Sequence, residues 1–302
     1  MSAPHSSASS QSTAASPASP PEYVLGTGSD ELARLAFQHR LWSDAAHAAW
    51  KLAGILPGHT ILDAGCGPGF ATFDLAQLVG RAGHVFAVDE SAAFIDHVAS
   101  QSRTRDLPNI TALVGDVQNL AATLTPAMRA HAGRGGGGGV GADLAYARWV
   151  LCFLKRPDLA IAGIAAALTP GGRLCIHDYF DYESMSPGPR RDSYTQIVAA
   201  TAKSWRDRGG DPDVMARVPA LLRDAGLEIT HLALHHRVAR PHETMFHWAD
   251  TWWRNYVPKL VQMGYVTEPQ QAQFFKDLDE LAASPTSFLV LPPVFEIVAV
   301  KK

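Results

Sequence analysis

Cysteine is scarce in this chain: Cys66, Cys152 and Cys175 are the only three among 302 residues, and no two are close in sequence. An odd, unclustered set excludes a disulfide framework and a cysteine metal site, and it fits a reducing, cytoplasmic setting. No apolar run approaches the roughly 20 residues needed to span a bilayer. Charge of one sign is also missing: 26 Lys and Arg against 29 Asp and Glu give a net charge of −3. That balance leaves no electrostatic footprint for nucleic acid or an acidic membrane. The first twenty residues hold no charged segment, no apolar segment and no arginine. They read as a Ser/Ala/Pro tail extending to residue 22 rather than a signal or transit peptide.

What remains is ordinary globular composition, 47% hydrophobic and 18% charged, in a chain long enough for a large core. From Tyr23 onward strand-like and helix-like runs alternate, which indicates an α/β domain over residues 23–302. A helix follows Ser29, with Leu32, Leu35, Ala36, Ala49 and Leu52 as its apolar positions. Strands are expected to end at Asp63, and to span His84–Asp89, Ile110–Val114, Leu144–Val150 and Arg173–Asp178. Helices are expected over Ala71–Val79, after a cap at Ser91, and over Leu159–Leu168 up to Pro170-Gly171-Gly172. Arg134 and the glycines that follow it read as a linker, because no strand precedes them and no Lys-Ser/Thr follows. Later come a strand over Leu227–His235, helices over Glu243–Gly264 and Glu268–Ala283, and a last strand over Val294–Val300.

The most informative run is Ile61-Leu62-Asp63-Ala64-Gly65-Cys66-Gly67-Pro68-Gly69-Phe70. Branched apolar residues end a strand, an acid closes it, and three alternating glycines form a turn into a helix. Such a turn lets backbone approach a ligand that a Cβ would push away. The dinucleotide fingerprint needs a third glycine where Phe70 stands, and a Walker loop needs a Lys-Ser/Thr that is absent. A carboxylate beside the turn repels a pyrophosphate but welcomes a sulfonium and an ammonium. The run resembles motif I of the class I S-adenosylmethionine (SAM)-dependent methyltransferases, within them the ubiquinone and menaquinone methyltransferase group. That resemblance covers Thr60–Asp178 most strongly. It implies a Rossmann-like sheet of seven mostly parallel strands with an antiparallel last strand, helices on both faces, and SAM as the cofactor. Helical cap insertions are expected near residues 183–210 and 241–287.

Ligands of open parallel sheets sit beyond the carboxyl ends of the strands. By resemblance, Asp63, Ala64, Gly65, Cys66 and Gly67 contact the cofactor at the end of the first strand. Asp89 accepts from the ribose hydroxyls at the end of the second, with Glu90 contributing backbone. Asp116 and the Val117 N–H reach the adenine after the third, and backbone at Arg148 meets the methionine ammonium after the fourth. A strand-terminal Asp by itself is more often a turn former; the set across successive strand ends carries the reading. Tyr23, Arg34 and Gln38 are placed on the cofactor by a leading segment that folds over it. The alternative for Arg34 is ordinary i,i+3 and i,i+4 pairing with Glu31 and Gln38.

Methyl transfer is a displacement in which alignment supplies much of the catalysis. His177, in the titratable run His177–Tyr182, is the candidate general base, against a plain hydrogen-bonded histidine. The sequence lacks an aromatic Asn-Pro-Pro type motif after the fourth strand, a double-glutamate loop, a cluster of accessible cysteines and an Asp/Asp/Asn metal set. A metal-independent transfer to a small, aromatic or otherwise apolar acceptor is therefore expected. Met245, Trp248, Trp252 and Tyr256 on one face of the cap helix, with Phe246, Trp253 and Leu260 on another, suit an acceptor pocket or a core equally. His235, His236, His242 and His247 match no metal pattern. The rival reading is a protein of the same fold that binds SAM without methylating; oligomeric state is not legible.

Overall fold

The computed structural model describes residues 28–133 and 141–302. The tail, Tyr23 and the glycine segment 134–140 lie outside the described residues. Helix α1 (Ser29–Leu52) leads into β1 (Thr60–Ala64), α2 (Phe70–Val79), β2 (His84–Asp89), α3 (Ala92–Thr104) and β3 (Ile110–Val114). Then come α4 (Leu120–Ala132), β4 (Ala142–Arg148), α5 (Pro157–Ala167), β5 (Leu168–Tyr179), β6 (Ser186–Gly188), α6 (Asp192–Asp207) and α7 (Val218–Asp224). The chain closes with β7 (Leu227–His235), β8 (Val238–Ala239), α8 (Thr244–Gln262), α9 (Glu268–Ala283), β9 (Phe288–Val290) and β10 (Val294–Lys301).

The large sheet has seven strands in the order β3-β2-β1-β4-β5-β10-β7. The ladders through β5 are parallel, and β10 runs antiparallel between β5 and β7. The strand order reverses between β1 and β4, and a topological switch of this kind leaves a crevice at the carboxyl ends. The expected seven-stranded architecture is the one observed. β1, β2 and β4 are buried on both faces, which explains why Ile61-Leu62 and Val85-Phe86-Ala87-Val88 read as unbroken apolar runs. Ser91 caps α3 as expected, accepting the Phe94 N–H at 3.3 Å.

The elements differ from those expected in five places. α1 buries Trp42, Ala45, Ala46, Ala49 and Trp50, while Leu52 is 57% exposed. The indoles remove more area from water than the leucines and set which face turns inward. α4 was not anticipated, its pattern being interrupted by Pro126. α5 stops at Ala167, before the Pro-Gly-Gly signal, because Leu168 already pairs with Ala142 of β4. β4 ends at Arg148 rather than Val150, since Trp149 turns into the left-handed region at φ 53°. A second sheet, β6-β9-β8, was also missed; strands of two or three residues are too short to show alternation.

The cap packs α8 against both α1 and α9. On one side Trp248 meets Trp42 (5.6 Å between rings) and Trp149 (6.1 Å); on the other Trp253 meets Tyr194 (5.6 Å) and Phe274 (5.7 Å). Trp50 fills the opposite end of α1, edge-on to Tyr146 at 5.1 Å and fully buried. Trp50→Ala is expected to cost about 3–5 kcal/mol, read from denaturant unfolding. A loss below about 1 kcal/mol would show that α1 is not packed as described.

Candidate functional site

The glycine turn is fixed by its neighbours rather than by its own side chains. The N–H groups of Gly65 and Cys66 both donate to the Val88 carbonyl, at 2.8 and 3.0 Å, pinning the end of β1 to β2. Gly65, Gly67 and Gly69 all take positive φ. At Gly65 a Cβ would lie 2.4 Å from Val150 Cγ2, so the turn closes against the segment after β4. At Gly67 a Cβ would meet nothing within 4 Å. The turn is therefore packed behind and open in front. Ala64 and Cys66 are buried, and burial pushes the Cys66 thiol well above its ordinary range.

Carboxylates surround the open side. Asp89 accepts the Gly67 N–H on Oδ2 (2.8 Å) and the Ser91 N–H on Oδ1 (2.9 Å). Each oxygen keeps a lone pair for a further donor such as a hydroxyl. Burial raises the Asp89 pKa despite those two bonds. Glu90 is raised by partial burial and by the charges of Asp89 and Asp116. Asp116 caps the turn Val117–Asn119 by accepting from Gln118 N at 2.8 Å, and Val117 is buried behind it. Glu90 thus sits close enough to Asp89 and Asp116 to be repelled by both, an arrangement that a ligand rich in donors relieves.

Asp63 and Arg148 form the other wall. Asp63 is buried, accepts from the Thr72 hydroxyl of α2 at 2.6 Å, and is pushed up to about 6 by desolvation, with Arg148 opposing. Arg148 Nη2 meets His39 Nδ1 at 3.0 Å, and His39 Nε2 meets Asp74 at 3.0 Å. With Arg148 donating to Nδ1, the His39 proton lies on Nε2; burial lowers its pKa. Arg148 Nη1 is buried and has no hydrogen-bond partner among the described residues. An unpaired guanidinium nitrogen retains its capacity to donate to an anionic group.

Arg34 and Gln38 are engaged with neighbouring side chains of α1 and the cap. Arg34 donates to Glu31 from Nε (2.8 Å) and Nη2 (2.6 Å) and to Gln38 Oε1 from Nη1 (3.1 Å). Asn255 and Trp248 of α8 donate to the same Glu31 and Gln38. The pairing reading describes this geometry: the group stitches α1 to the cap helix. Tyr23 lies outside the described residues.

His177 does not present a free nitrogen to a substrate. It is 1% exposed, with Nε2 at 2.9 Å from Glu296 Oε2, Nδ1 at 3.4 Å from the Tyr146 hydroxyl, and its pKa lowered by burial. Its strand points it into the α1 face of the sheet, where β10 supplies a partner that no local pattern announces. Glu296 also meets His231 and His235 of β7, both at 2.9 Å. His231 and His235 share a face by their even separation, but only the β7–β10 pairing reveals Glu296 opposite. Thr72, His39 and Asp74 were missed for the same reason.

The two glycines separate packing from binding. Gly65→Ala is expected to lose about 2–4 kcal/mol of stability, from overpacking against Val150 and a strained φ. Gly67→Ala is expected to lose only about 1–2 kcal/mol yet weaken ligand binding at least tenfold (about 1.4 kcal/mol), because its methyl enters the open side. Melting curves and calorimetry check both; similar stability losses in the two variants would contradict the assignment.

Several known proteins share sequence or fold with this chain. An arsenite methyltransferase from Halobacterium salinarum is 25% identical over 215 residues, covering 69% of this chain and 47% of that protein. Aklanonic acid methyltransferase DauC from a Streptomyces species is 30% identical over 119 residues, covering 39% of this chain and 47% of that protein. The chain therefore spans less than half the length of these curated relatives. A crystal structure of geranyl diphosphate C-methyltransferase from Streptomyces coelicolor shares the fold, with a TM-score of 0.51 at 17% identity over 92% of this chain and 89% of that one. Residues 55–224 match a family model described as a methyltransferase domain. With that match spanning more than half of its length, the chain belongs to the class I SAM-dependent methyltransferases.

Proposed function

We propose that this protein transfers the methyl group of SAM to a small-molecule acceptor held beneath the α8 cap. The observation that carries the reading is the open turn at Gly67, whose N–H Asp89 accepts, with Glu90 feeling the charges of both Asp89 and Asp116 beyond the ends of β2 and β3. In this reading Asp89 accepts from the ribose hydroxyls, Glu90 lends backbone, and Asp116 with the Val117 N–H takes the adenine. Arg148 Nη1 takes the methionine carboxylate, in addition to the backbone contact expected at that position. Ala64 and Cys66 supply backbone to the turn, and the Asp63 charge favours the ammonium and the sulfonium. Bound SAM supplies an electrophilic methyl on sulfur, released by in-line displacement with S-adenosylhomocysteine as product.

The chain's own part is alignment. An attacking atom must be held about 3–3.5 Å from the methyl carbon with its lone pair in line. Trp149 stacks near Tyr179 (6.0 Å) and Trp248 (6.1 Å) at the strand ends, forming an aromatic wall that suits a flat or apolar acceptor. DauC and the geranyl diphosphate enzyme are named for small organic acceptors, which supports that class. Arsenite is a poor fit: Cys66, Cys152 and Cys175 are all buried and their thiols are pushed up by desolvation. The displacement needs no metal, and His177 is not positioned as its base.

Calorimetry with SAM and S-adenosylhomocysteine tests the cofactor half. Micromolar binding is expected, weakened at least tenfold (about 1.4 kcal/mol) by Asp89→Ala and again by Arg148→Met. Binding should also tighten as pH rises from about 5 to 7. The free Asp63 carboxyl titrates at about 6, a cationic ligand favours its ionised form, and so binding near that pH releases a proton. Buffers of different ionisation enthalpy report the release; uptake instead would exclude Asp63 as a partner of the positive charge. S-adenosylhomocysteine release against a panel of quinones, phenols and prenyl compounds separates methyl transfer from the rival of SAM binding without methylation.

A further inference from the structure

The last three strands of the large sheet bring four side chains to one point that methyl transfer leaves unused. Glu296 on β10 stands directly opposite His177 on β5 in the antiparallel register. Its Oε2 lies 2.9 Å from His177 Nε2 and 2.9 Å from His235 Nε2, and its Oε1 lies 2.9 Å from His231 Nε2. His177 and Glu296 are buried, whereas the side chains of His235 and His231 are 27% and 33% exposed. The point is therefore closed by the sheet on one side and reachable from the β7 edge on the other.

We propose that His177 Nε2, His235 Nε2 and Glu296 Oε2 form a two-histidine, one-carboxylate site for a divalent transition-metal ion of the zinc class. The three donor atoms all lie within 4.8 Å of one another. A tetrahedral zinc ion with bonds of about 2.0–2.1 Å needs donor separations of roughly 3.3 Å, so the two 2.9 Å histidine–carboxylate contacts open by only a few tenths of an ångström. Two imidazoles and one carboxylate suit a borderline-soft ion and not magnesium or calcium, which take oxygen.

The surroundings fit a metal site in a second respect. A histidine ligand presents one ring nitrogen to the ion and holds the other on a neighbour. His177 Nδ1 faces the Tyr146 hydroxyl at 3.4 Å, a long contact that places an oxygen beside the ring nitrogen turned away from the ion. His231 is a positioning residue: its Nε2–H holds the second carboxylate oxygen and leaves Oε2 to the ion. The bound ion ties the edge strand β7 to β5 through β10, and its remaining position opens towards the β7 edge. Arg148 and the SAM side of the site supply none of the donors.

Untagged full-length protein titrated with zinc, and with cobalt(II) for its visible spectrum, tests the site. One equivalent is expected, with a rise in melting temperature and tetrahedral cobalt bands. His235→Ala changes a part-exposed ligand and is the decisive variant. It should weaken binding at least 100-fold and abolish the cobalt bands while circular dichroism stays unchanged. His231→Ala should weaken binding about tenfold and alter the bands, and His231→Gln, which keeps an N–H donor, should restore them. No stoichiometric binding, or binding that survives His235→Ala, would overturn the proposal and leave the cluster a hydrogen-bonded one.

Discussion

Everything at the ligand edge depends on one backbone constraint, the paired donation of the Gly65 and Cys66 N–H groups to the Val88 carbonyl. That contact holds the end of β1 against β2 while the chain passes through left-handed φ values that only glycine adopts cheaply. It presents Gly67 N to Asp89, which in turn caps the start of the next segment through Ser91 N. A single carboxylate therefore orients the turn and still has lone pairs to spend outward. The packing of Gly65 against Val150 extends the same constraint to β4. The positions of three strand ends are thereby coupled through one turn.

The second organising feature is the way α1 joins the sheet to the cap. Its buried polar residues are not exceptions to core packing but its connectors. Glu31, Arg34 and Gln38 bind α8, while His39 links Arg148 of β4 to Asp74 of α2. Each group has a partner, as buried polar atoms require. Trp42 stands between them, edge-on to both Trp149 and Trp248. The wall of Trp149, Tyr179 and Trp248 is thus held by α1, which precedes the glycine turn, and by α8, which is distant from it in sequence. Trp149, left-handed at φ 53°, marks where β4 bends to admit that wall.

The chemistry divides along the sheet. On the β1–β2 side, burial raises Asp63, Asp89 and Glu90, a state favourable to a donor-rich ligand. On the β5–β10–β7 side, one carboxylate is shared by three imidazoles, and His177 and His235 hold it down to about 2 against its own burial. Arg148 stands between these regions, close enough to act on Asp63 and on His177. The same guanidinium thus moderates a carboxylate on one side and disfavours an imidazolium on the other.

Sequence alone determined the parts whose physics is local. The glycine turn, the acids at Asp89 and Asp116, the Ser91 cap and the spans of β2, β3, β7 and α9 are all set by neighbours within a few residues. So was the seven-stranded architecture, through the resemblance that Ile61–Phe70 carries. Tertiary structure alone decided which partners surround Arg34, Gln38 and His177. Arg34 pairs along its helix with Glu31 and Gln38, and Asn255 and Trp248 of α8 hold those two partners in place. His177 could be a base at a strand end until β10 set Glu296 beside it, 119 residues away in sequence. A side chain's chemistry depends on what its remaining hydrogen-bonding atoms meet. For residues on neighbouring strands, that partner is fixed by sheet order and register, which no local pattern encodes.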